Sequence, residues 1–114
     1  MPLIRVASNR QLETTAETPF AKDLSTFAAR LLGKPERYVM VHLQMGQTMV
    51  LGGTDEPLAN VEVQSIGLPT ARTGDFSKAL CDFLEKRLEI APSRVYIQFT
   101  AVPGELWGWN GATF

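Results

Sequence analysis

The sequence predicts a two-layer α+β sandwich, in which a duplicated βαβ unit forms one four-stranded mixed sheet with both helices on a single face. Three observations carry this expectation. Apolar residues alternate in four separate runs, at Ile4 and Val6, at Val39, Val41 and Leu43, at Val61 and Val63, and at Val95, Ile97 and Phe99. Two stripes at helical spacing, one from Phe20 to Leu31 and one from Phe76 to Leu88, stand between the members of each strand pair. The pattern also repeats. Phe20, Lys22, Leu24 and Phe27 reappear 56 positions later as Phe76, Lys78, Leu80 and Phe83, and Pro35-Glu36-Arg37 reappears 57 positions later as Pro92-Ser93-Arg94. Each half, about 2–51 and 59–101, reads strand, helix, turn, strand. Parallel strand pairs with right-handed crossovers are expected within each half.

The elements follow in order. Residues 2–7 read as a strand, with Ile4 and Val6 on one side and Leu3, Arg5 and Ala7 on the other. Residues 8–18 are polar and read as a loop, which Thr18 closes as N-cap ahead of Pro19 at the first helical position. Phe20, Leu24, Phe27, Ala28 and Leu31 form the apolar stripe of that helix, and Gly33 ends it. A turn at Lys34-Pro35 leads to a strand from Tyr38 to Leu43, and Gly46-Gln47 to a short strand over 48–51. A loop runs from Gly52 to Pro57, and the third main strand holds Val61 and Val63 and stops at Gly67. Asp75 is placed to cap a second helix over about 76–89. Ala91-Pro92 turns into the last main strand, Val95 to Thr100, and an apolar tail with Trp107, Trp109 and Phe114 follows Pro103-Gly104.

With 114 residues the chain supports one domain with one modest core, and 45% hydrophobic with 20% charged residues is globular composition. A formal net charge of -1 gives no electrostatic case for nucleic acid, and no charge block suggests a membrane surface. A single cysteine, Cys81, excludes an internal disulfide and reads as a packing residue of the second helix. No apolar run approaches the roughly 20 residues that span a bilayer, and Arg5, Asn9 and Arg10 interrupt any signal-peptide core. The expectation is a soluble cytoplasmic protein, with export requiring an unconventional route. One histidine and one cysteine offer no metal cluster, so no metal and no cofactor is expected.

Helices on one face leave the other face of the sheet bare. The residues alternating away from the apolar set include Arg5, His42, Gln44, Glu62, Gln64, Tyr96 and Gln98. Such a face either meets water in a monomer or lines a wet interior shared by several subunits. The apolar tail either folds back on its own domain or is covered in an oligomer.

The chain resembles the macrophage migration inhibitory factor and D-dopachrome tautomerase family of the tautomerase superfamily. The residues that carry the resemblance run from Met1-Pro2 to the closing Trp109-Asn110 and Thr113-Phe114. Between them lie Gly33-Lys34-Pro35, Val41-His42, Gly52-Gly53, Glu56-Pro57, Ser65-Ile66-Gly67, Phe76-Ser77-Lys78 and Arg94-Val95-Tyr96-Ile97. The resemblance implies a homotrimer with its sheets around a central channel and active sites between adjacent subunits. It implies that Pro2, once the initiator methionine is removed, is the catalytic base, and that Lys34 binds the substrate carboxylate or enolate oxygen. The backbone N–H of Ile66 contributes to the same contacts, and Tyr96 enters from the neighbouring subunit. Gln98 stands where the family usually has asparagine, and Tyr38 and Trp109 match aromatic positions at the pocket mouth. Two departures stand out. Leu58, Ala59 and Asn60 occupy the region where the cytokine members carry a Cys-x-x-Cys pair, so thiol–disulfide activity is not expected. Trp107 replaces a smaller residue beside the pocket.

The chemistry these residues suit is cofactor-independent keto–enol tautomerisation of an aromatic α-keto acid of the phenylpyruvate type. That reaction needs a base of near-neutral pKa and an electrostatic clamp for the developing enolate. An α-amine titrates near pH ~8, and burial beside a cation lowers that value. Taken alone, Lys34 reads as a solvated turn lysine and Tyr96 as a strand aromatic. His42 reads as a channel-facing or surface residue rather than a base. The alternative from another class is a cytokine-like, partner-binding trimer with a vestigial pocket, although nothing in the residues supports receptor binding.

Overall fold

The computed structural model describes residues 1–114. Four strands, β1 (Leu3–Ser8), β2 (Met40–Gln44), β3 (Ala59–Ser65) and β4 (Val95–Ala101), form one sheet in the order β2-β1-β3-β4. β1 pairs with β2 in parallel and β3 with β4 in parallel, while the two halves meet along an antiparallel β1–β3 seam. The sheet is therefore mixed and two-fold in character, as the duplication requires.

Alternation sets its faces. Ile4, Val6, Val61 and Val63 are at most 1% exposed, and they pack with Leu24, Ala28, Leu80 and Leu84 in one core between sheet and helices. Arg5 lies level with His42 on β2 and Glu62 on β3, and Glu62 with Gln98 on β4, so a polar row crosses the whole opposite face. Arg5 and Glu62 form an ion pair of 3.2 Å there, half in water, where such pairs contribute little.

The first helix, α1 (Thr14–Leu32), starts four residues before the expected Thr18 cap, which places Pro19 inside it and makes Glu13 the N-cap. A proline there removes one intrahelical bond, to the carbonyl four residues earlier. That residue, Thr15, is exposed, so water satisfies the carbonyl and the helix tolerates the loss. Gly33 ends α1 at φ 64°, with its own N–H on the Arg30 carbonyl and the Lys34 N–H on the Ala29 carbonyl. This is a Schellman closure, in which a left-handed residue is required. A Cβ at Gly33 would meet nothing within 4 Å, so Gly33→Ala tests the backbone alone. A loss of about 1–2 kcal/mol in chemical denaturation is expected, and an unchanged midpoint would show that the left-handed turn carries no cost.

The second helix, α2 (Thr73–Leu88), begins before Asp75, after a 3-10 turn at Thr70–Arg72. Asp75 therefore sits within the first turn, where a carboxylate favours the helix N-terminus, rather than at the cap. The expected strand over 48–51 does not form. Leu51 only bridges to Thr54, because no strand of this chain lies alongside for Thr48–Val50 to pair with. The loop that follows is held from the other half: the Arg94 guanidinium donates to the carbonyls of Leu51, Thr54 and Glu56, at 2.7, 3.1 and 2.9 Å. The Asn9 side chain binds the same linker, donating to the Asp55 carbonyl and accepting from the Leu58 N–H.

The tail folds back as a hairpin, β5 (Gly108–Trp109) with β6 (Ala112–Thr113). Asn110 and Gly111, at φ 53° and 76°, make its two-residue turn. Asn-Gly is the pair that this left-handed turn favours.

Candidate active site

The site is built where β1 begins. The Met40 N–H donates to the Pro2 carbonyl at 3.0 Å, which extends the β1–β2 pairing to the residue before the strand and sets the Pro2 ring, fully buried, at the end of an inner strand. Around it lies a cavity of about 450 Å³, within the roughly 300–1,000 Å³ of small-molecule sites. Its walls come from four places: Met1 to Leu3 at the chain start, Arg37 to Met40 leading into β2, Gln64 near the end of β3, and Val102 with the folded-back tail. Tyr38 meets Trp109 edge-on at 5.3 Å and Phe114 edge-on at 6.0 Å, while Trp109 and Phe114 stack at 5.3 Å. Ten of the fourteen lining residues are hydrophobic, so the cavity suits an aromatic group.

The charge at this end of the molecule is positive. The Met1 α-amine is pushed below its ordinary value of 8.0, first by burial and then by the positive charge of Lys34. The left-handed turn at Gly33 aims Lys34 back across the sheet, where its Nζ stands 3.6 Å from where a Cβ of Gly67 would lie. Lys34, the chain start and the Ile66-Gly67 turn after β3 are thus neighbours. Gly67, at φ 67°, lets the backbone turn beside the ammonium.

Of the residues the sequence singled out, Pro2, Tyr38 and Trp109 line the cavity, and Lys34 and Ile66 border the chain start. Tyr96 and Gln98 do not join them in this chain. Leu3 lies level with Gln64 and Gln64 with Thr100, so Pro2 is level with Ala101 on β4. Tyr96 is five residues back along that strand, roughly 17 Å away at about 3.3 Å per residue, with the width of two further strand spacings to cross. It stands 63% exposed on the polar face instead. A smaller recess of about 200 Å³ occupies that face among Arg5, His42, Gln44, Asn60 and Glu62.

Arg37 and Gln64 also line the cavity and were not singled out as site residues. The clue to Arg37 was its position beside Tyr38. Cys81 lies outside the site, and burial pushes its thiol above the ordinary value against the opposing effect of a Ser77 hydrogen bond. It is a packing residue.

Known proteins give the arrangement its context. The family model described as macrophage migration inhibitory factor (MIF) matches residues 1–114. The macrophage migration inhibitory factor of Mus musculus is 37% identical over 115 residues, covering 100% of this chain and 99% of that protein. The homolog from Trichinella spiralis is 36% identical, with 100% of both chains covered. Among solved structures, the homologue from Prochlorococcus marinus superposes with a TM-score of 0.90 at 44% identity, covering 98% of each chain. With the whole chain matched in sequence and in fold, the protein belongs to the macrophage migration inhibitory factor family, within the tautomerase superfamily.

Proposed function

We propose that the protein is a cofactor-independent keto–enol tautomerase acting on aromatic α-keto acids of the phenylpyruvate type, with Pro2 as general base. The observation that carries this reading is the buried Pro2 in an aromatic-lined cavity beside the Lys34 ammonium. Removal of Met1 turns the Pro2 amide nitrogen into a secondary amine. That amine stands one residue along from the Met1 amine, at the same end of β1, so the desolvation and the Lys34 charge that lower the one are expected to act on the other. A neutral amine then takes the proton from the carbon next to the keto group. The electron pair of that C–H bond forms the C=C bond, and the carbonyl electrons move to oxygen. Lys34 and the Ile66 N–H stabilise the resulting enolate, and the ammonium also holds the carboxylate. The proton on Pro2 passes to the enolate oxygen to give the enol; in reverse, the neutral amine takes the enol O–H proton and returns it to carbon. The phenyl ring packs against Tyr38 and Trp109.

Tyr96 and Gln98 reach such a site only from another copy of the chain, given the distance along β4, and this supports a homotrimer with shared sites. Intact-mass measurement and turnover of phenylpyruvate enol test the proposal together. The sign of the pH dependence follows from the cation: activity requires the neutral amine, and the burial and Lys34 charge that lower the Met1 amine below 8.0 are expected to lower its successor at Pro2 too. Rates are expected to hold as pH falls through 8.0 and to drop only below that lowered value. A rate that halves already near pH 8 would mean the base is an unperturbed amine.

Lys34→Ala is expected to raise KM for the carboxylated substrate about tenfold or more, and to raise it less for the methyl ester, which lacks the charge. Steady-state kinetics on both compounds decide this, and equal losses would take Lys34 out of the carboxylate contact.

A further inference from the structure

Resting on the tautomerase reading, an arginine in the cavity wall, apart from Lys34 beside the chain start, narrows the substrate class. Most of the arginines are committed elsewhere. Arg5, Arg10, Arg72 and Arg87 face carboxylates, and Arg94 donates to three carbonyls. Arg30 lies exposed in the last turn of α1. Arg37 lines the cavity and makes no ion pair or side-chain hydrogen bond within the chain. Its neighbouring acid, Glu36, accepts a hydrogen bond from the Thr26 hydroxyl at 3.1 Å instead. No aspartate or glutamate lines the cavity.

The guanidinium is also positioned. Its carbon stands 4.8 Å from the centroid of the Tyr38 ring, and that ring is fixed by Trp109 and Phe114. Stacking on an aromatic face leaves the planar N–H fork free at its edges, where it suits a carboxylate or similar oxyanion. Lys34 stands beside the chain start, and Arg37 on the aromatic wall that receives the ring.

We propose that Arg37 selects for aromatic α-keto acids carrying a second anionic group on the ring, and that the site prefers such dianions to phenylpyruvate itself. The α-carboxylate goes to Lys34 and the ring-borne anion to Arg37. Because Arg37 is largely exposed, the preference is modest and sensitive to salt.

The test compares kcat/KM for 4-carboxyphenylpyruvate and phenylpyruvate in the methionine-processed protein. A ratio of about three to ten in favour of the dianion at low salt is expected, carried by KM and shrinking as salt rises. Arg37→Gln should bring the ratio to one or below, and Arg37→Lys should restore part of it. A wild-type ratio at or below one, or a ratio that Arg37→Gln leaves intact, overturns the proposal. Turnover of neither compound would count against the tautomerase reading, and Arg37 is then judged by binding alone. Quenching of Trp107 and Trp109 fluorescence by the same two compounds reads their affinities, and equal affinities in the wild type and Arg37→Gln would sink the assignment.

Discussion

Pro2→Gly is expected to lower kcat for phenylpyruvate enol turnover by about 10²-fold, the low end of what a well-placed general base contributes, because the amine that remains is no longer held in position. Glycine keeps an α-amine after methionine removal, so the variant isolates what the pyrrolidine ring supplies: a secondary amine held rigidly at the cavity wall. The ring is fully buried, and its removal also frees the backbone ahead of β1. Circular dichroism and sedimentation therefore accompany the kinetics, and both are expected to match the wild type, because the Met40 N–H still finds the carbonyl of residue 2. A fall in kcat with KM little changed identifies a group that acts in the transition state. Turnover within a factor of two of the wild type, in protein shown by mass to start at residue 2, would count against Pro2 as the base by showing that its ring supplies nothing to the reaction. A collapse of the fold would be visible in the circular dichroism, and Pro2→Ala then repeats the test with less backbone freedom.

The largest effect on stability is expected from Leu24→Ala. Leu24 is 0% exposed and belongs to the cluster between α1 and the sheet, with Ile4, Val61 and Leu84. Truncation removes apolar burial and leaves a cavity that a sheet on one side and a second helix on the other cannot close. A loss of about 2–5 kcal/mol follows from comparable core truncations. Urea denaturation at fixed protein concentration measures it, since assembly makes the midpoint concentration-dependent. A loss below about 1 kcal/mol would mean the core collapses around the gap.

Much of the fold was legible because its signals are local and repeated. Alternation at Ile4 and Val6 or at Val61 and Val63 has one outcome when a single face is buried, and the burial pattern follows it residue by residue. The misses have physical causes. Thr18-Pro19 is a strong helix-entry pair, but the helix runs through the proline and gives up one backbone bond there, and the true start lay upstream where no cap side chain marks it. Thr48 to Leu51 lies between turn signals as a short strand would, yet a strand needs a neighbour, which a sequence pattern does not supply. The tail hairpin was foreshadowed by Asn110-Gly111, a turn signal that went unread among the tryptophans.

The site was legible in a different way. Pro2, Lys34, Tyr38, Ile66 and Trp109 were named through a resemblance between sequences, and the fold gathers them at the start of β1. The parallel return of β2 beside β1, expected from the repeat, brings the Lys34 turn to the chain start, but nothing in the periodicity points its ammonium at Gly67. Arg37 escaped notice for the same reason. A turn arginine becomes a cavity residue only once the tail has closed over Tyr38.

The grip of Arg94 on the linker has a mechanical consequence. One guanidinium at the head of β4 holds three carbonyls of the segment joining the halves, which itself lacks regular structure. The joint between the two repeats is thereby braced like a strut rather than left as slack cord. A pull on one repeat is passed to the other through that brace as well as through the seam of the sheet, so the duplicated halves respond as one stiff plate.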